Sequence, residues 1–181
     1  GVGWAVPMYK GLLRVRLANG MFQLCNVVGI DDATLTGGPP IMVEGKLEDL
    51  RRSESVIVDS VGANGKLAKP TGDPEHPIPL KVGDTLELND HRAVVVGICT
   101  NTRTFQIYTT YTRAIQFAPP ERKQLSFIMV KAAPGQDVKE LCARIHEQTG
   151  LGAFTHEEFK TLTYDYFMKY TGIPINFGIS V

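Results

Sequence analysis

Two adjacent aspartates and one serine are the residues whose types could support hydrolysis. Asp31 and Asp32 follow the apolar run LCNVVGI, where a strand could present a catalytic carboxylate. A phosphate-transferring aspartate would want a second aspartate two residues on, and Ala33 stands there. The sequence DSVG around Ser60 is half of a nucleophile elbow, but Val58 replaces the glycine needed two residues before the serine. We therefore expect the aspartates to cap turns. A small hydrolase around Asp31, Asp32 and Ser60 is the rival enzyme interpretation.

Other residue patterns argue against metal, nucleotide and cofactor sites. The spacing of the histidines contains neither HExxH nor paired metal ligands, and the four lie at His76, His91, His146 and His156. Gly1-Val2-Gly3 is followed by Val6 where a dinucleotide fingerprint needs glycine, and no P-loop occurs. The sequence thus predicts no catalytic residue, no metal and no cofactor. Any ATP hydrolysis would belong to another chain or another domain.

The cysteines predict neither a metal site nor a disulfide framework. There are three, at Cys25, Cys99 and Cys142, without metal-ligand spacing, and an odd number cannot be fully paired within one chain. Each lies in an apolar stretch, where a free thiol packs as a small hydrophobic group. We expect buried thiols.

Composition bounds the class of protein. The 181 residues include 19 Lys plus Arg and 19 Asp plus Glu, and 43% are hydrophobic. A neutral chain without a basic stripe is a poor ligand for nucleic acid, which we exclude as a partner. The apolar fraction is typical of a globular protein. The absence of an initiator Met and the uncharged ending GIPINFGISV favour a segment excised from a longer protein, with a membrane segment following.

Strand signals dominate the first two thirds of the chain. VGWAVPMY, LLRVRL and MFQLCNVVGI are separated by Lys10-Gly11 and Asn19-Gly20, which predicts a three-stranded meander. The run SVIVD predicts a buried strand, and residues 62–79 predict a long surface loop. DTLEL and RAVVVGI form a second hairpin around Asn89-Asp90. The segment YTTYTRAIQF is ambiguous between strand and helix.

Two helices follow the strand LSFIMVKA. Asp137 and Glu140 have capping-box spacing, and Gly150 gives the C-terminal stop of the first helix. The second helix begins at Thr155, with Glu158 completing its capping box, and runs to about residue 170. Its apolar stripe predicts packed core at Phe159, Leu162, Tyr166 and Tyr170. The order of elements predicts an α+β domain with a mixed, mostly antiparallel sheet and two packed helices.

Five stretches, in their order and spacing, resemble the MacB-type ABC transporter permeases, and in particular their DevC-like members. They are FQLCNVVGIDDATLTGGPP, EGKLEDLRRSESVIVD, VGDTLELNDHRAVVVGI, LSFIMVKAAPG and DYFMKYTGIPINFGI. The resemblance implies a periplasmic domain lying between two transmembrane helices of an inner-membrane protein. It also implies two lobes: a discontinuous Porter-like lobe in residues 1–50 and 121–181, and an inserted, mainly β Sabre-like lobe in residues 51–120.

The same resemblance implies a function in efflux by mechanotransmission. ATP-driven dimerisation of cytoplasmic ATPase subunits would move this domain, within a permease homodimer, against a periplasmic adaptor (membrane fusion protein) joined to an outer-membrane duct. The alternative from the binding class is an extracytoplasmic ligand-binding sensor domain, which would need a concave polar pocket.

The segment CTNTRTFQIYTTYTR supplies the candidate adaptor interface. It is mostly polar, with Phe105, Ile107 and Tyr108 as apolar exceptions and Arg103 as a candidate rim residue. An aromatic anchor within a polar rim is how a modest interface gains affinity. The alternative is that these apolar side chains pack against their own lobe.

Overall fold

The computed structural model describes residues 1–17, 19–71, 73, 76–100, 105–122 and 125–170. These residues form eight strands and four helices, with 3₁₀ turns at Leu47–Arg51 and Pro120–Arg122. The strands are β1 (Val2–Arg16), β2 (Phe22–Ile30), β3 (Ile41–Glu44), β4 (Ser55–Asp59), β5 (Thr85–Leu88), β6 (His91–Thr100), β7 (Gln106–Thr110) and β8 (Phe127–Ala132). The helices are α1 (Ser60–Asn64), α2 (Tyr111–Phe117), α3 (Val138–Thr149) and α4 (His156–Tyr170).

Six of these strands pair in a closed ring. β2 pairs with β7, β7 with β4, β4 with β6, β6 with β5, β5 with β1, and β1 again with β2. β3 adds to β6, and β8 adds to β1. The β2–β7 and β4–β6 pairs are parallel, whereas β1–β2, β1–β5, β3–β6, β4–β7 and β5–β6 are antiparallel. The predicted α+β fold with a mixed, mostly antiparallel sheet is confirmed.

The ring encloses a hydrophobic core because alternate residues of each strand point inward. The pattern is visible as buried residues two positions apart on successive strands. They belong to one cluster: Leu13, Val15, Cys25, Val27, Val56, Val58, Leu86, Leu88, Ala93, Val95 and Ile107. A second cluster, on the other face of the same strands, contains Val28, Ile30, Ile57, Val96, Cys99 and Tyr108, covered by Leu35 and Leu50.

Contacts divide the chain into two units. One contains Gly1–Ala5 and the residues from Val130 onward, and the other contains Val6–Met129. The ring draws β1 and β2 from residues 1–50 and β4 to β7 from residues 51–120. Strand pairing therefore does not separate these two predicted segments, and the assignment of Porter-like and Sabre-like lobes stays a prediction.

The predicted meander is instead a two-stranded hairpin. Lys10 and Gly11 do not form a turn but lie inside β1, where Gly11 is opposite Val27 of β2. The ring of Tyr9 lies where a Cβ at position 11 would stand. The glycine therefore makes room for a neighbouring aromatic ring within the strand. In the sequence alone, a glycine used in this way cannot be told from a glycine in a turn.

Both predicted hairpin turns are present. Gly20 has φ 82°, and the Leu17 amide donates to the Met21 carbonyl at 2.8 Å, closing the turn between β1 and β2. Asn89 and Asp90 have φ of 46° and 67°, the left-handed pair that a two-residue type I′ turn requires. The YTTYTRAIQF segment is both strand and helix, because β7 ends at Thr110 and α2 begins at Tyr111.

The predicted loop of residues 62–79 is partly a core element. α1 occupies its beginning, and Lys69 forms a bridge with Ile78. Leu67 is 1% exposed and joins the cluster inside the ring, as does Leu80. The loop thus contributes apolar side chains to the interior in spite of its glycines and prolines.

Both ends of α3 and the start of α4 are as predicted. The Glu140 amide donates to Asp137 Oδ1 at 2.9 Å, and Gly150 is left-handed with φ 71°. At the start of α4, the Thr155 amide donates to Glu158 Oε2 at 2.8 Å, and the Glu158 amide donates to Thr155 Oγ1 at 3.3 Å. These reciprocal bonds satisfy amides that a helix start leaves without intrahelical partners.

The prediction that the α4 stripe is packed core is wrong for its described side chains. Phe159 is 41% exposed, Leu162 51% and Tyr166 60%. Helical spacing of apolar residues defines a face but does not say what covers it. The ending GIPINFGISV, predicted to approach a membrane segment, lies outside the described residues.

An ion pair at the start of β5 is sensitive to acid. Lys69 Nζ lies 2.5 Å from Asp84 Oδ1, and the Lys81 amide donates to Asp84 Oδ2 at 2.9 Å. These hydrogen bonds, that of Lys69 first, hold the pKa of the Asp84 carboxyl below its ordinary value. The carboxylate therefore stabilises the folded state whenever it is ionised.

We expect Asp84→Asn to lower the free energy of unfolding by about 1 kcal/mol at neutral pH, the upper range for a partly exposed pair. Because the folded-state pKa is depressed, this contribution is complete above the unfolded-state pKa of about 3.9 and is lost as the pH falls through the folded-state pKa. Urea unfolding at neutral pH and near pH 3 measures it. Asp90→Asn, at a carboxylate 3.9 Å from Arg14, is the control with a small effect. An Asp84→Asn deficit of the same size at both pH values contradicts the assignment.

Candidate functional site

The predicted docking segment lies mostly inside the protein. Ile107 is 0% exposed and points into the ring, and Tyr108 is 4% exposed in the second cluster. Phe105 is partly buried against the first cluster. Arg103 lies outside the described residues. Burial leaves Ile107 and Tyr108 without surface for a partner, so the docking prediction depends on Phe105 and Arg103.

Phe105 packs on the short helix α1. Its ring lies against Gly62, where a Cβ would overlap it. Gly62 is buried in α1, three residues after the N-cap Asp59, whose Oδ1 accepts a hydrogen bond from the Val61 amide at 2.9 Å. The buried strand β4 fixes the start of the helix, and the glycine lets the aromatic ring approach its backbone. This arrangement matches the alternative in which Phe105 packs against its own lobe.

The two aspartates of the rival hydrolase interpretation serve as caps. Asp31 Oδ2 accepts hydrogen bonds from the amide and the hydroxyl of Thr34, both at 2.8 Å. Asp32 Oδ2 accepts from the amide of Thr112 at 3.1 Å and from its hydroxyl at 3.2 Å, at the start of α2. Ser60 begins α1. The predicted turn-capping role is confirmed for Asp31, whereas Asp32 caps the start of α2. Each carboxylate accepts hydrogen bonds from an amide and a hydroxyl.

The cysteine thiols are poorly suited to nucleophilic chemistry. Cys25 and Cys99 are buried, as predicted, whereas Cys142 is partly exposed. Burial raises the pKa of Cys25 to about 12. Burial, followed by the nearby Asp59 charge, raises the pKa of Cys99 to about 12. The thiolate, which is the nucleophile and metal ligand, is therefore scarce at neutral pH.

The histidines are dispersed in the structure. His76 Nδ1 is 2.7 Å from Asp73 Oδ2, His91 is tilted against the Phe117 ring, and His146 Nδ1 is 3.0 Å from the Leu151 carbonyl. Among the described residues, no group of three or more His, Cys, Asp or Glu side chains could hold a metal ion. Among the same residues, no helix is both long and apolar enough to span a bilayer.

A groove of about 630 Å³ is one concave feature that bears on the alternative of a ligand-binding sensor. Its wall includes Arg16, Leu17, Lys69, Glu87 and Arg92. The charged groups around it pair with each other: Arg16 with Glu87 at 3.5 Å, Lys69 with Asp84 at 2.5 Å, and Arg92 with Glu54 at 3.3 Å. A specific small-molecule pocket presents polar groups that converge on the ligand, whereas the charged side chains around this groove bind one another.

Sequence reasoning missed an exposed surface on the outside of the β1–β2 hairpin. We call Leu12, Arg14, Arg16, Phe22 and Leu24 the hairpin face. In the antiparallel ladder Arg14 is opposite Leu24 and Arg16 is opposite Phe22. The three apolar members are 47% to 59% exposed. The signal was present in the alternation of LLRVRL, whose even-numbered residues must share one side of the strand.

The fold is similar to those of three solved domains. The periplasmic region of MacB from Actinobacillus actinomycetemcomitans is 16% identical, with a TM-score of 0.59, 90% of this chain and 76% of that chain being covered. The extracellular domain of the noncanonic ABC-type transporter YknZ from Gram-positive bacteria is 12% identical, with a TM-score of 0.55 and coverage of 84% and 79%. A domain of a putative permease from Porphyromonas gingivalis is 14% identical, with a TM-score of 0.51 and coverage of 83% and 64%. At these identities the likeness concerns the fold.

The sequence itself carries the family assignment. Residues 2–148 match the model of the MacB-like periplasmic core domain, which is most of the chain. No curated protein sequence matches significantly. The strand arrangement found here agrees with the MacB periplasmic fold. The chain therefore belongs to the MacB-like periplasmic core domains, the extracytoplasmic and non-catalytic domains of MacB-like ABC transporter permeases.

Proposed function

We propose that this domain relays ATP-driven motion from the cytoplasm to a periplasmic adaptor, for export through a tripartite efflux system. In this proposal the intact permease is a homodimer in the inner membrane, and a separate cytoplasmic ATPase subunit or domain hydrolyses ATP. The observation that carries the proposal is the family match over residues 2–148. The YknZ domain, whose fold is similar, is part of an ABC-type transporter.

The ring of strands has the mechanical property that such a relay requires. Its interior side chains are almost fully buried, with Val15, Val56, Val58 and Val95 each 0% exposed. Close-packed interiors have low compressibility and transmit strain rather than absorbing it. A push delivered at one strand would therefore displace the ring as a body instead of deforming it.

The charges and caps also suit a relay better than a reaction centre. The aspartates at strand ends are engaged by amides, and the buried cysteines are held as thiols. Chemistry would require titratable groups with perturbed pKa values converging on a cleft. The domain would then act through its surface, and its partners would supply the energy and the duct.

The relay proposal predicts that the chain itself does not bind ATP. Titration calorimetry of the purified chain with Mg-ATP should give only the heat of dilution. The matched control is the cytoplasmic ATPase subunit under the same buffer conditions. Saturable heat from the chain alone would place nucleotide chemistry in this domain and contradict the division of labour.

The decisive test of the proposal is performed on the intact permease. Co-expressed with its ATPase subunit and its adaptor, the permease should retain the adaptor during purification. Spin labels or fluorophores attached to the domain should show that it moves between the nucleotide-free and the ATP-trapped states of the permease. A permease that exports with the adaptor gene deleted, or whose domain gives the same signal in both states, would contradict the relay.

Substitution of Phe105 distinguishes packing within the domain from docking of the adaptor. Because its ring lies on Gly62, we expect Phe105→Ala to lower the free energy of unfolding by about 2 kcal/mol, less than a fully buried aromatic would. Adaptor binding by the folded variant should stay near that of the unmodified permease. If the variant instead keeps its stability and loses the adaptor, the docking role of Phe105 is established.

Gly62→Ala is the matched partner in a double-mutant cycle with Phe105→Ala. Alone, it should destabilise the domain, because its Cβ would overlap the Phe105 ring. Combined with Phe105→Ala, the same methyl group should become neutral or stabilising, since alanine is the better helix former and the space has been vacated. Additive effects of the two substitutions would show that the ring does not rest on Gly62.

A further inference from the structure

The hairpin face combines exposed apolar area with positive charge. The Arg14 guanidinium carbon lies 4.6 Å from the centroid of the Phe22 ring. Phe22 is 51% exposed and Leu24 59%. The side chains of Arg14 and Arg16 are 50% and 52% exposed. Aromatic residues and arginine are enriched at protein interfaces, so an exposed phenylalanine ring under an arginine suits the binding of a partner.

The acidic groups near the two arginines hold them loosely. Arg14 approaches Asp90 only to 3.9 Å, which is beyond hydrogen-bond distance. Arg16 approaches Glu87 to 3.5 Å. Such exposed ion pairs contribute little and exchange easily. Each guanidinium has five N–H donors, so both can donate to a further carboxylate.

Charge is distributed unevenly along the chain. The first 30 residues contain Lys10, Arg14 and Arg16 and no aspartate or glutamate, a side-chain charge of +3. The chain has 19 basic and 19 acidic residues, which leaves 16 basic and 19 acidic in the other 151, a charge of −3. The hairpin is therefore the positive end of a neutral chain. A complementary partner surface carries negative charge.

The groove described above continues the hairpin face. Arg16 belongs to both, and Leu17 and Gly20 of the hairpin turn line the groove. A convex segment of a partner could lie on Phe22 and Leu24 and place a side chain into the groove. Flat apolar area beside a concave feature favours a protein surface.

We propose that the hairpin face is the docking surface for the periplasmic adaptor, through a segment of that protein in which carboxylates alternate with apolar side chains. The inference rests on the proposed relay function and adds the site of contact. The carboxylates pair with Arg14 and Arg16, while the apolar side chains cover Phe22 and Leu24. The partner thereby removes from water an apolar surface that the domain alone leaves exposed.

A membrane surface is the other occupant with complementary charge, and the geometry is unfavourable for it. The apolar side chains run along the hairpin from Phe22 to Leu12 instead of being confined to its tip. Glu87 and Asp90 lie beside the arginines at the turn end. A headgroup layer would press on these carboxylates and the arginines together, whereas a partner segment can place its carboxylates at the arginines alone.

Binding of the purified adaptor to the intact permease tests the inference. Arg14→Glu combined with Arg16→Glu, and separately Phe22→Ser, should each weaken binding by at least about tenfold, as loss of a central interface residue does. Two controls should bind as the unmodified permease does. Ile41→Ser with Val43→Ser removes equally exposed apolar area from β3. Lys139→Glu with Lys169→Glu makes the same change in net charge outside the hairpin face.

Salt dependence provides a measurement that needs no variant. Affinity of the unmodified permease for the adaptor should fall as NaCl rises from about 50 to 500 mM, and this dependence should flatten in the Arg14→Glu, Arg16→Glu variant. Thermal unfolding of each variant must match the unmodified protein for its binding result to count, and Leu24→Ser replaces Phe22→Ser if the latter is unstable.

The outcomes separate the two proposals. If the unmodified permease does not bind adaptor at any salt concentration, the relay proposal fails, and the docking site fails with it. If it binds and the hairpin variants bind equally well, the docking site alone is wrong. Binding of the permease domain to phosphatidylglycerol vesicles that the hairpin variants abolish, with adaptor binding unaffected, would assign the face to the membrane and overturn the inference.

Discussion

Closure of six strands into a ring is the constraint on which the core and the surface of Val6–Met129 both depend. A ring requires each strand to send alternate side chains inward, and the pairs Leu13 and Val15, or Val56 and Val58, meet that requirement. Closure gives each of these strands a paired neighbour on both sides, although the β1–β5 and β4–β7 ladders are only two residue pairs long. The cost of leaving a polar backbone group unpaired makes this arrangement cooperative. A single slipped register would turn every inward residue of a strand outward.

The same alternation produces the surface that we connect with function. Because Leu13 and Val15 are inside, Leu12, Arg14 and Arg16 must be outside, where Phe22 and Leu24 join them across the ladder. Aspartates that could be catalytic candidates in the sequence instead lie at strand ends and cap the helices that follow. Asp32 and Asp59 accept hydrogen bonds from the first turns of α2 and α1. The domain therefore presents a packed body with a distinctive exterior, which is what a part that moves against a partner needs.

Local chemistry made several elements predictable. Asp137 and Gly150 bound α3 because a side-chain acceptor and a left-handed glycine satisfy helix ends within a few residues of sequence. Asn89 and Asp90 adopt the left-handed turn that short polar side chains tolerate. Other sequence patterns, such as a glycine between two apolar runs, can arise from either of two structural causes. Gly11 was interpreted as a turn, but it gives room to the Tyr9 ring, and such a close approach depends on a neighbour's side-chain direction rather than on spacing.

The sequence by itself determined the family, the α+β class, the capped helices and the lack of a recognisable catalytic motif, since each of these depends on residue types close together in the chain. Only the tertiary structure decided which apolar residues are covered. Ile107 and Phe159 are equally apolar members of regular patterns, yet Ile107 is 0% exposed and Phe159 41%. Burial of Ile107 follows from β7 lying between β2 and β4, a pairing between segments far apart in sequence. Periodicity assigns a side chain to a face, and the partner of that face is set by long-range strand order, which no local pattern contains.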